Sequence, residues 1–203
     1  MAYKDETFEK FSDSVFSSSP VPGGGAVAPL VAALGIALDG MVLSITRGKS
    51  AYSGILPEIE ELSKRCSALK EEFFRCSDVD SEAFLALLDV YKMPKACPGR
   101  NVLMENALNG ACRAPQKIME LCLEGLGITE EVLEKASPSA VSDTAAAALL
   151  LKAAASVSEL NVLANAKALS DKASARQMIC ECAALAKECR SKADSVYSKT
   201  KAL

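Results

Sequence analysis

The chain has 203 residues, of which 50% are hydrophobic and 24% charged, so it can bury a substantial core and is too apolar to remain disordered. Its net charge of −3 lacks the basic excess of a nucleic-acid-binding protein. The sequence contains no histidine, which excludes histidine-based triads and histidine-ligated metals. Proton transfer is left to carboxylates, lysine, tyrosine, cysteine or backbone groups.

The first part of the chain predicts a short helix, a break and a long apolar helix. Apolar residues at helical spacing predict an amphipathic helix over residues 8–16, and the prolines and glycines of residues 17–25 end it. Residues 26–45 are almost wholly apolar. Because Asp39 interrupts this stretch and anchoring residues do not flank both ends, it predicts the central helix of a bundle and not a membrane span.

A long helix is predicted from Pro57 to Val90, where apolar residues recur at alternating steps of three and four, and Pro94 ends it. Asp80 fills a gap in that apolar stripe. A carboxylate buried without a partner has a raised pKa, which suits a general acid or base near neutral pH. The alternatives are a buried salt bridge or a solvent-facing position after the helix register drifts.

The middle of the chain predicts interrupted helices. After a linker over residues 95–99, a helix begins near Asn101, and Pro115 kinks or breaks it. A separate short helical piece follows Gly127. Residues 137–139, Ser-Pro-Ser, interrupt the chain again.

Two capping motifs predict the last two helices. Ser142-Asp143 is expected to cap a helix that reaches Leu169, and Ser170-Asp171 to cap the final helix. Strand-like alternation is lacking. The sequence therefore predicts an all-α, single-domain, up-and-down helical bundle over residues 1–203.

The chain contains eight cysteines without a C-x-x-C pair and opens on a polar stretch rather than a signal peptide. We expect them to be reduced thiols in the core of a cytoplasmic protein, and we expect no metal site.

Backbone and amide groups are candidates for ligand binding. Gly23-Gly24-Gly25 directly precedes a helix, so its N–H groups and the positive helix end can meet an anion or a carbonyl oxygen. The alternative is a tight entry turn. Asn161 and Asn165 lie one turn apart, where they can bind one edge of a ligand or a neighbouring helix. Three cations lie in or beside loops: Lys49, Lys95 and Arg100.

The segment Pro20-Val21-Pro22-Gly23-Gly24-Gly25-Ala26 resembles the opening signature of the formiminotetrahydrofolate cyclodeaminase/methenyltetrahydrofolate cyclohydrolase family. Later blocks resemble that family in the same order, so the likeness covers residues 11–171. These blocks include Asp80-Ser81-Glu82-Ala83-Phe84, Pro94-Lys95, Arg100, Ser142-Asp143, Asn161-Val162, Asn165 and Asp171.

The resemblance implies an all-α homodimer with its folate site between subunits and no cofactor. From the net charge and the interrupted apolar stretch, we expect no nucleic-acid or membrane partner. The implied reaction converts 5-formiminotetrahydrofolate to 5,10-methenyltetrahydrofolate with release of ammonia. One alternative is the cyclohydrolase, which opens the methenyl bridge to 10-formyltetrahydrofolate. An alternative of another class is a non-catalytic protein that binds folate or a partner through its helices.

The resemblance also implies roles for the candidate residues. Asp80 would act as acid or base, with Asp143 second. The folate would be held by Gly23, Gly24, Gly25, Lys49, Lys95, Arg100, Asn161 and Asn165. At residues 136–139 the chain departs from the family, because Ala-Ser-Pro-Ser replaces a Gly-Asn pair and a further Asn that relatives often carry. This departure favours the non-catalytic alternative.

Overall fold

The computed structural model describes residues 2–202, and these residues form six α-helices and three 3₁₀ turns without a strand. The helices are α1 (Phe8–Phe16), α2 (Gly24–Arg47), α3 (Leu56–Lys92), α4 (Arg100–Lys135), α5 (Val141–Ala166) and α6 (Lys172–Lys201). The 3₁₀ turns are Tyr3–Asp5, Ser50–Ile55 and Pro138–Ala140. The all-α prediction is confirmed.

Helices α2 to α6 form an up-and-down bundle, in which short connections make successive helices antiparallel neighbours. Helix α2 packs against α3 and α5, and α4 packs against α3, α5 and α6. All five helices contribute fully buried side chains to one core, represented by Ile36, Phe73, Ile118, Leu151 and Val196. Burying each of these side chains stabilises the fold by about 1.5–3 kcal/mol.

Of the two outcomes predicted at Pro115, a break of the helix is wrong, and so is the separate helix predicted after Gly127. The helix continues through Pro115, and no separate helix begins after Gly127. Gly125 lies inside it, where a Cβ would come within 3.1 Å of the Ile36 side chain and 3.2 Å of the Leu151 side chain. The glycine therefore allows α4 to approach α2 and α5 closely, and tertiary packing outweighs its low helix propensity.

One of the two predicted caps is wrong. The turn Pro138–Ala140 leads directly into α5, so the N-cap is Ala140, and Ser142 and Asp143 occupy the first turn. A carboxylate is favourable there because it faces the positive helix end. The second cap is confirmed, since the Asp171 side chain accepts hydrogen bonds from the backbone N–H groups of Ala173 and Ser174.

Helix α1 forms where its apolar spacing predicts, but it lies outside the bundle. It has no buried residue, and Phe8 and Phe16 are 83% and 94% exposed. The N-terminal segment is attached through Tyr3, whose ring makes an edge-on contact with Phe11 and whose hydroxyl hydrogen-bonds Ser81 of α3.

Helix α2 and residues 138–166 are long and apolar enough to cross a membrane by length and composition alone. However, 56% of the most apolar window of α2 is buried inside the bundle. Asp39, in the middle of this helix, is fully buried and hydrogen-bonded to Thr129. These properties are typical of the central helix that the sequence predicts.

Six of the eight cysteines are buried, as predicted for core thiols: Cys66, Cys76, Cys112, Cys122, Cys182 and Cys189. The prediction is wrong for two others, because Cys97 is half-buried in a loop and Cys180 is exposed on α6.

Candidate functional site

A cavity of about 210 Å³ lies where the start of α2 meets the middle of α3 and the last turns of α5. Its polar wall consists of the triple-glycine segment, Asp80, Asn161 and Asn165. Among the described residues that line the cavity, Asp80 alone has an ionisable side chain. The structure therefore brings four of the candidate elements to one place.

The carboxyl group of Asp80 lies directly against the backbone of Gly25. A Cβ added at Gly25 would overlap the three carboxyl atoms of Asp80. At Gly24, an added Cβ would be in ordinary contact with Val157, at 3.5 Å. A larger residue at position 25 would therefore displace the carboxyl group, a constraint that the tight-turn interpretation does not explain.

Helices α2 and α3 are joined beside this contact. The Ser77 hydroxyl, one turn before Asp80, donates a hydrogen bond of 2.8 Å to the carbonyl of Ala26. Both groups are buried, so this bond is protected from competition with water. It holds the start of α2 against the turn of α3 that carries the carboxylate.

Burial raises the pKa of Asp80 from 3.8 to about 6, and desolvation is the cause. A carboxyl group with a pKa of about 6 exists in both protonation states near neutral pH. Proton transfer to or from a ligand in the cavity is therefore accessible to Asp80.

The start of α2 presents free hydrogen-bond donors to the cavity. The first hydrogen bonds of the helix are donated by Ala26 and Val27, both to the Gly23 carbonyl. Within the described chain, the N–H groups of Gly24 and Gly25 have no backbone acceptor. These donors, together with the positive helix end, favour an anion or carbonyl oxygen.

The two asparagines line the cavity one turn apart. Asn165 donates a 2.8 Å hydrogen bond from Nδ2 to the carbonyl of Ala111 on α4, so it makes an inter-helix contact and also faces the cavity. Asn161 is half-buried in the same wall.

Lys49 and Asp143 lie at the opposite end of the bundle. Asp143 precedes Asn161 by 18 helical residues, which corresponds to about 27 Å along α5. Lys49 follows the end of α2 and donates hydrogen bonds to the hydroxyls of Ser137 and Ser139. One chain alone does not bring these two residues to the Asp80 cavity.

Residues 136–139, where the sequence departs from the family pattern, also lie at this opposite end of the bundle. Besides the Lys49 contacts, the Ser137 N–H donates a 3.0 Å hydrogen bond to Thr46 Oγ1. This segment therefore ties the end of α2 to the start of α5 and does not line the Asp80 cavity of its own chain.

Lys95 and Arg100 lie in and just after the α3–α4 connection, and neither lines the cavity. Arg100 donates from Nε to the Met93 carbonyl at 3.1 Å, which closes this connection. Ala111, the α4 residue that lines the cavity, is about 16 Å farther along the helix.

A family model described as formiminotransferase-cyclodeaminase matches residues 7–184. The chain belongs to this family. The resemblance identified from the glycine motif and the later blocks is therefore confirmed.

Similar proteins carry two different names. A methenyltetrahydrofolate cyclohydrolase of Methylorubrum extorquens is 31% identical over 97% of both chains. A formimidoyltransferase-cyclodeaminase of Rattus norvegicus is 30% identical over 82% of this chain, which covers only 32% of the rat protein. The solved structure of a formiminotetrahydrofolate cyclodeaminase from Thermotoga maritima has a TM-score of 0.83, with 28% identity over 97% of this chain and 98% of that one.

This member of the formiminotransferase-cyclodeaminase family is therefore an enzyme of the folate cyclodeaminase/cyclohydrolase type. The interpretation as a non-catalytic helical protein is set aside.

Some residues that line the Asp80 cavity were not predicted from the sequence. Phe84 lies one turn after Asp80 on the same face of α3, and its i+4 spacing from the carboxylate was a usable signal. Val21 and Ala111 also line the cavity. Ala111 carries no chemical signal in the sequence, because its contribution depends on how α4 packs.

Proposed function

We propose that this enzyme converts 5-formiminotetrahydrofolate to 5,10-methenyltetrahydrofolate and ammonia. The observation that carries the proposal is the Asp80 carboxyl group, whose pKa is raised to about 6, in a cavity with the free N–H groups of Gly24 and Gly25. The reaction exchanges carbon–nitrogen bonds and moves protons without net oxidation, so the proposal includes no cofactor.

Asp80 suits the formimino group because that group and N5 together form an amidine, which is cationic when protonated. A carboxylate facing it accepts charge-assisted hydrogen bonds from its N–H groups. In the cyclohydrolase substrate, the methenyl carbon carries no such N–H donor. This difference favours the deaminase reaction.

In the proposed mechanism the formimino group is protonated, and N10 attacks its carbon while the Asp80 carboxylate takes the N10 proton. The resulting tetrahedral carbon bears N5, N10 and an amino group. Asp80 then returns the proton to the amino group, the C–N bond breaks, and ammonia leaves with the methenyl bridge formed. One carboxyl group thus serves first as the general base and then as the general acid.

With 5-formiminotetrahydrofolate as substrate, we expect ammonia and the near-ultraviolet absorbance of methenyltetrahydrofolate to appear together in equal amounts. A coupled ammonia assay and an absorbance trace on the same sample would measure this. A sample without enzyme controls for spontaneous cyclisation. Absence of both products would contradict the proposal.

The cyclohydrolase is the second candidate, because the Methylorubrum extorquens relative with that name matches this chain over nearly the full length of both. In that case 5,10-methenyltetrahydrofolate would lose its absorbance in the presence of enzyme, and no ammonia would form from the formimino compound. The same two measurements therefore separate the candidates.

We also propose a soluble, cytoplasmic homodimer in which two subunits form each site. Apolar side chains remain exposed along the outer faces of α2 and α5: Leu34, Met41, Ile45, Leu149 and Leu160. Leu34, at the middle of α2, is 59% exposed. A second copy is a suitable cover for such an apolar face.

Two-fold symmetry supports the shared site. Leu34 lies about 15 Å along α2 from Gly24, beside the Asp80 cavity, and about 20 Å from Arg47, at the end that leads to Lys49. An axis that passes near Leu34 would therefore place Lys49 and Asp143 of one subunit beside the Asp80 cavity of the other. This arrangement would unite candidate residues that a single chain keeps apart.

Mixing two inactive variants tests this arrangement. We expect Asp80→Asn and Asp143→Asn each to lose nearly all activity separately. Part of it should return when they are co-expressed with different tags and purified as a mixed dimer, because one of its two sites is then intact. The ammonia assay measures the recovery. A mixed dimer as inactive as its parents, or a chain that light scattering shows to be monomeric, would contradict the shared site.

A further inference from the structure

Helix α4 contains a proline at a position where a helix normally loses a hydrogen bond. Pro115 has no N–H, so the carbonyl of Ala111, four residues earlier, lacks its helical donor. The proline ring also crowds that carbonyl. Nevertheless the helix continues for 20 further residues, to Lys135, and Pro115 itself is buried.

The missing donor is replaced from the neighbouring helix. Asn165 Nδ2 on α5 donates a hydrogen bond of 2.8 Å to this same Ala111 carbonyl. An unsatisfied carbonyl in this half-buried environment would be costly, so the asparagine repairs the interruption that Pro115 makes. The hydrogen bond from α5 thus compensates for the donor that Pro115 removes from α4.

The repair also fixes the orientation of a residue in the cavity wall. A primary amide has donors on its nitrogen and acceptors on its oxygen. Because Nδ2 of Asn165 is committed to Ala111, rotation of the amide would bring two carbonyl oxygens together. Both residues line the Asp80 cavity, and within residues 2–202 no group donates a hydrogen bond to Oδ1 of Asn165.

We propose that Pro115 is a positioning residue that makes Asn165 present Oδ1, an acceptor, to the ligand. The site then selects a ligand edge that carries an N–H donor at this point. The inference rests on the proposed function for the identity of the ligand, since the amino and amide N–H groups of a reduced pterin ring supply such donors. Pro115 acts through Asn165 and does not itself touch the ligand.

Binding of 5-formyltetrahydrofolate, a stable folate, tests the orientation by calorimetry. In Pro115→Ala the new N–H at position 115 donates to the Ala111 carbonyl and releases the Asn165 amide. We expect the dissociation constant to rise about two- to tenfold, the value of one net hydrogen bond. Pro57→Ala, at the start of α3, is a matched control because the N–H missing there has no helical partner.

A second substitution separates orientation from general loosening of the fold. Asn165→Asp cannot donate to the Ala111 carbonyl, so we expect weak binding when Pro115 is present. In the double variant, the new N–H at position 115 satisfies that carbonyl, and the aspartate oxygen is free to accept from the ligand. Removing Pro115 should therefore weaken binding in the wild-type background and strengthen it in the Asn165→Asp background. Equal effects in both backgrounds would overturn the proposal.

Unfolding by urea provides a readout that does not depend on folate. Asn165→Ala should lower the urea midpoint clearly in the wild type and much less in Pro115→Ala, where the Ala111 carbonyl has its own helical donor. Additive midpoints would overturn the pairing. If the wild type does not bind 5-formyltetrahydrofolate, the part of this proposal that concerns the ligand fails, while this cycle still decides whether Pro115 and Asn165 are coupled. The ammonia assay tests the proposed function separately.

Discussion

Replacing Asp80 by asparagine is expected to lower kcat for methenyl formation by about a hundredfold or more, because the proposed proton carrier is lost. Asparagine has nearly the same shape, so the cavity and the close contact with Gly25 are retained. The dissociation constant for 5-formyltetrahydrofolate should change much less than kcat. Steady-state kinetics and calorimetry on the same preparation measure the two effects, and a variant with undiminished kcat would contradict the assignment.

The pH profile gives this prediction a second signature. Because the pKa of Asp80 is raised to about 6 by burial, kcat of the wild type should decrease as the pH falls through about 6, where the base form is lost. The residual activity of the asparagine variant should lack this acid limb. An identical limb in both proteins would assign it to another group.

Two adjacent glycines provide a matched test of the geometry. Gly25→Ala places a methyl group where the Asp80 carboxyl group lies and must displace it, so kcat should fall. Gly24→Ala adds the same methyl group one residue earlier, where it makes only an ordinary contact with Val157. We expect the loss of kcat at position 25 to be much the larger. Equal losses would indicate that the contact with Asp80 is unimportant.

The helices of this enzyme follow from local features, because the apolar spacing of α3 and the cap at Asp171 depend on neighbouring residues. The continuity of α4 could not be predicted in this way. The donor that compensates for Pro115 belongs to Asn165, 50 positions later in the chain. Local rules consider only the hydrogen bond that a proline removes from its helix. Whether a donor from another helix replaces that bond depends on how the helices pack.

The length of the helices determines which of the predicted site residues meet within one chain. The glycines, Asp80 and the asparagine pair meet because α2 begins where α5 ends, beside the middle of α3. The resemblance groups Lys49 and Asp143 with them, but α2 spans about 35 Å and separates Lys49 from the glycines within one chain. A list of family positions contains no distances, so it cannot distinguish a site within one chain from a site shared by two.

Asp39 is the carboxylate that sequence reasoning treated only as an interruption of an apolar stretch. It is fully buried, and its Oδ2 lies 2.7 Å from Thr129 Oγ1, which also lies 2.9 Å from the Gly125 carbonyl. The Thr129 hydroxyl has one proton, and the carbonyl can only accept. Both contacts are satisfied when Thr129 donates to Gly125 and a protonated Asp39 donates to Thr129.

The titration of Asp39 agrees with this geometry. Desolvation raises its pKa from 3.8 to about 7, although a hydrogen bond that Thr129 donates to the charged carboxylate opposes the shift. Its second oxygen, Oδ1, has no hydrogen-bond partner, so the charged form is poorly stabilised. Cys66, on the adjacent face of α3, has its own pKa raised to about 12, mainly by burial and further by Asp39. The neutral carboxylic acid is therefore the main form in the core below about pH 7.

Asp39→Asn is expected to make the enzyme more stable at alkaline pH while changing little at acidic pH. The folded state holds the Asp39 proton up to about pH 7, whereas the unfolded chain releases it near 3.8, so this group stabilises the wild type below 3.8 and the benefit disappears as the pH rises to 7. The shift corresponds to roughly 4 kcal/mol. Urea unfolding of both proteins at several pH values measures the difference in unfolding free energy, which should grow from acid to neutral pH and then level off.

Asp89→Asn, which replaces an exposed carboxylate on α3, is the control and should show no such growth, because surface ion pairs contribute little. A pH-independent difference between Asp39→Asn and the wild type would mean that Asp39 is charged in the folded core.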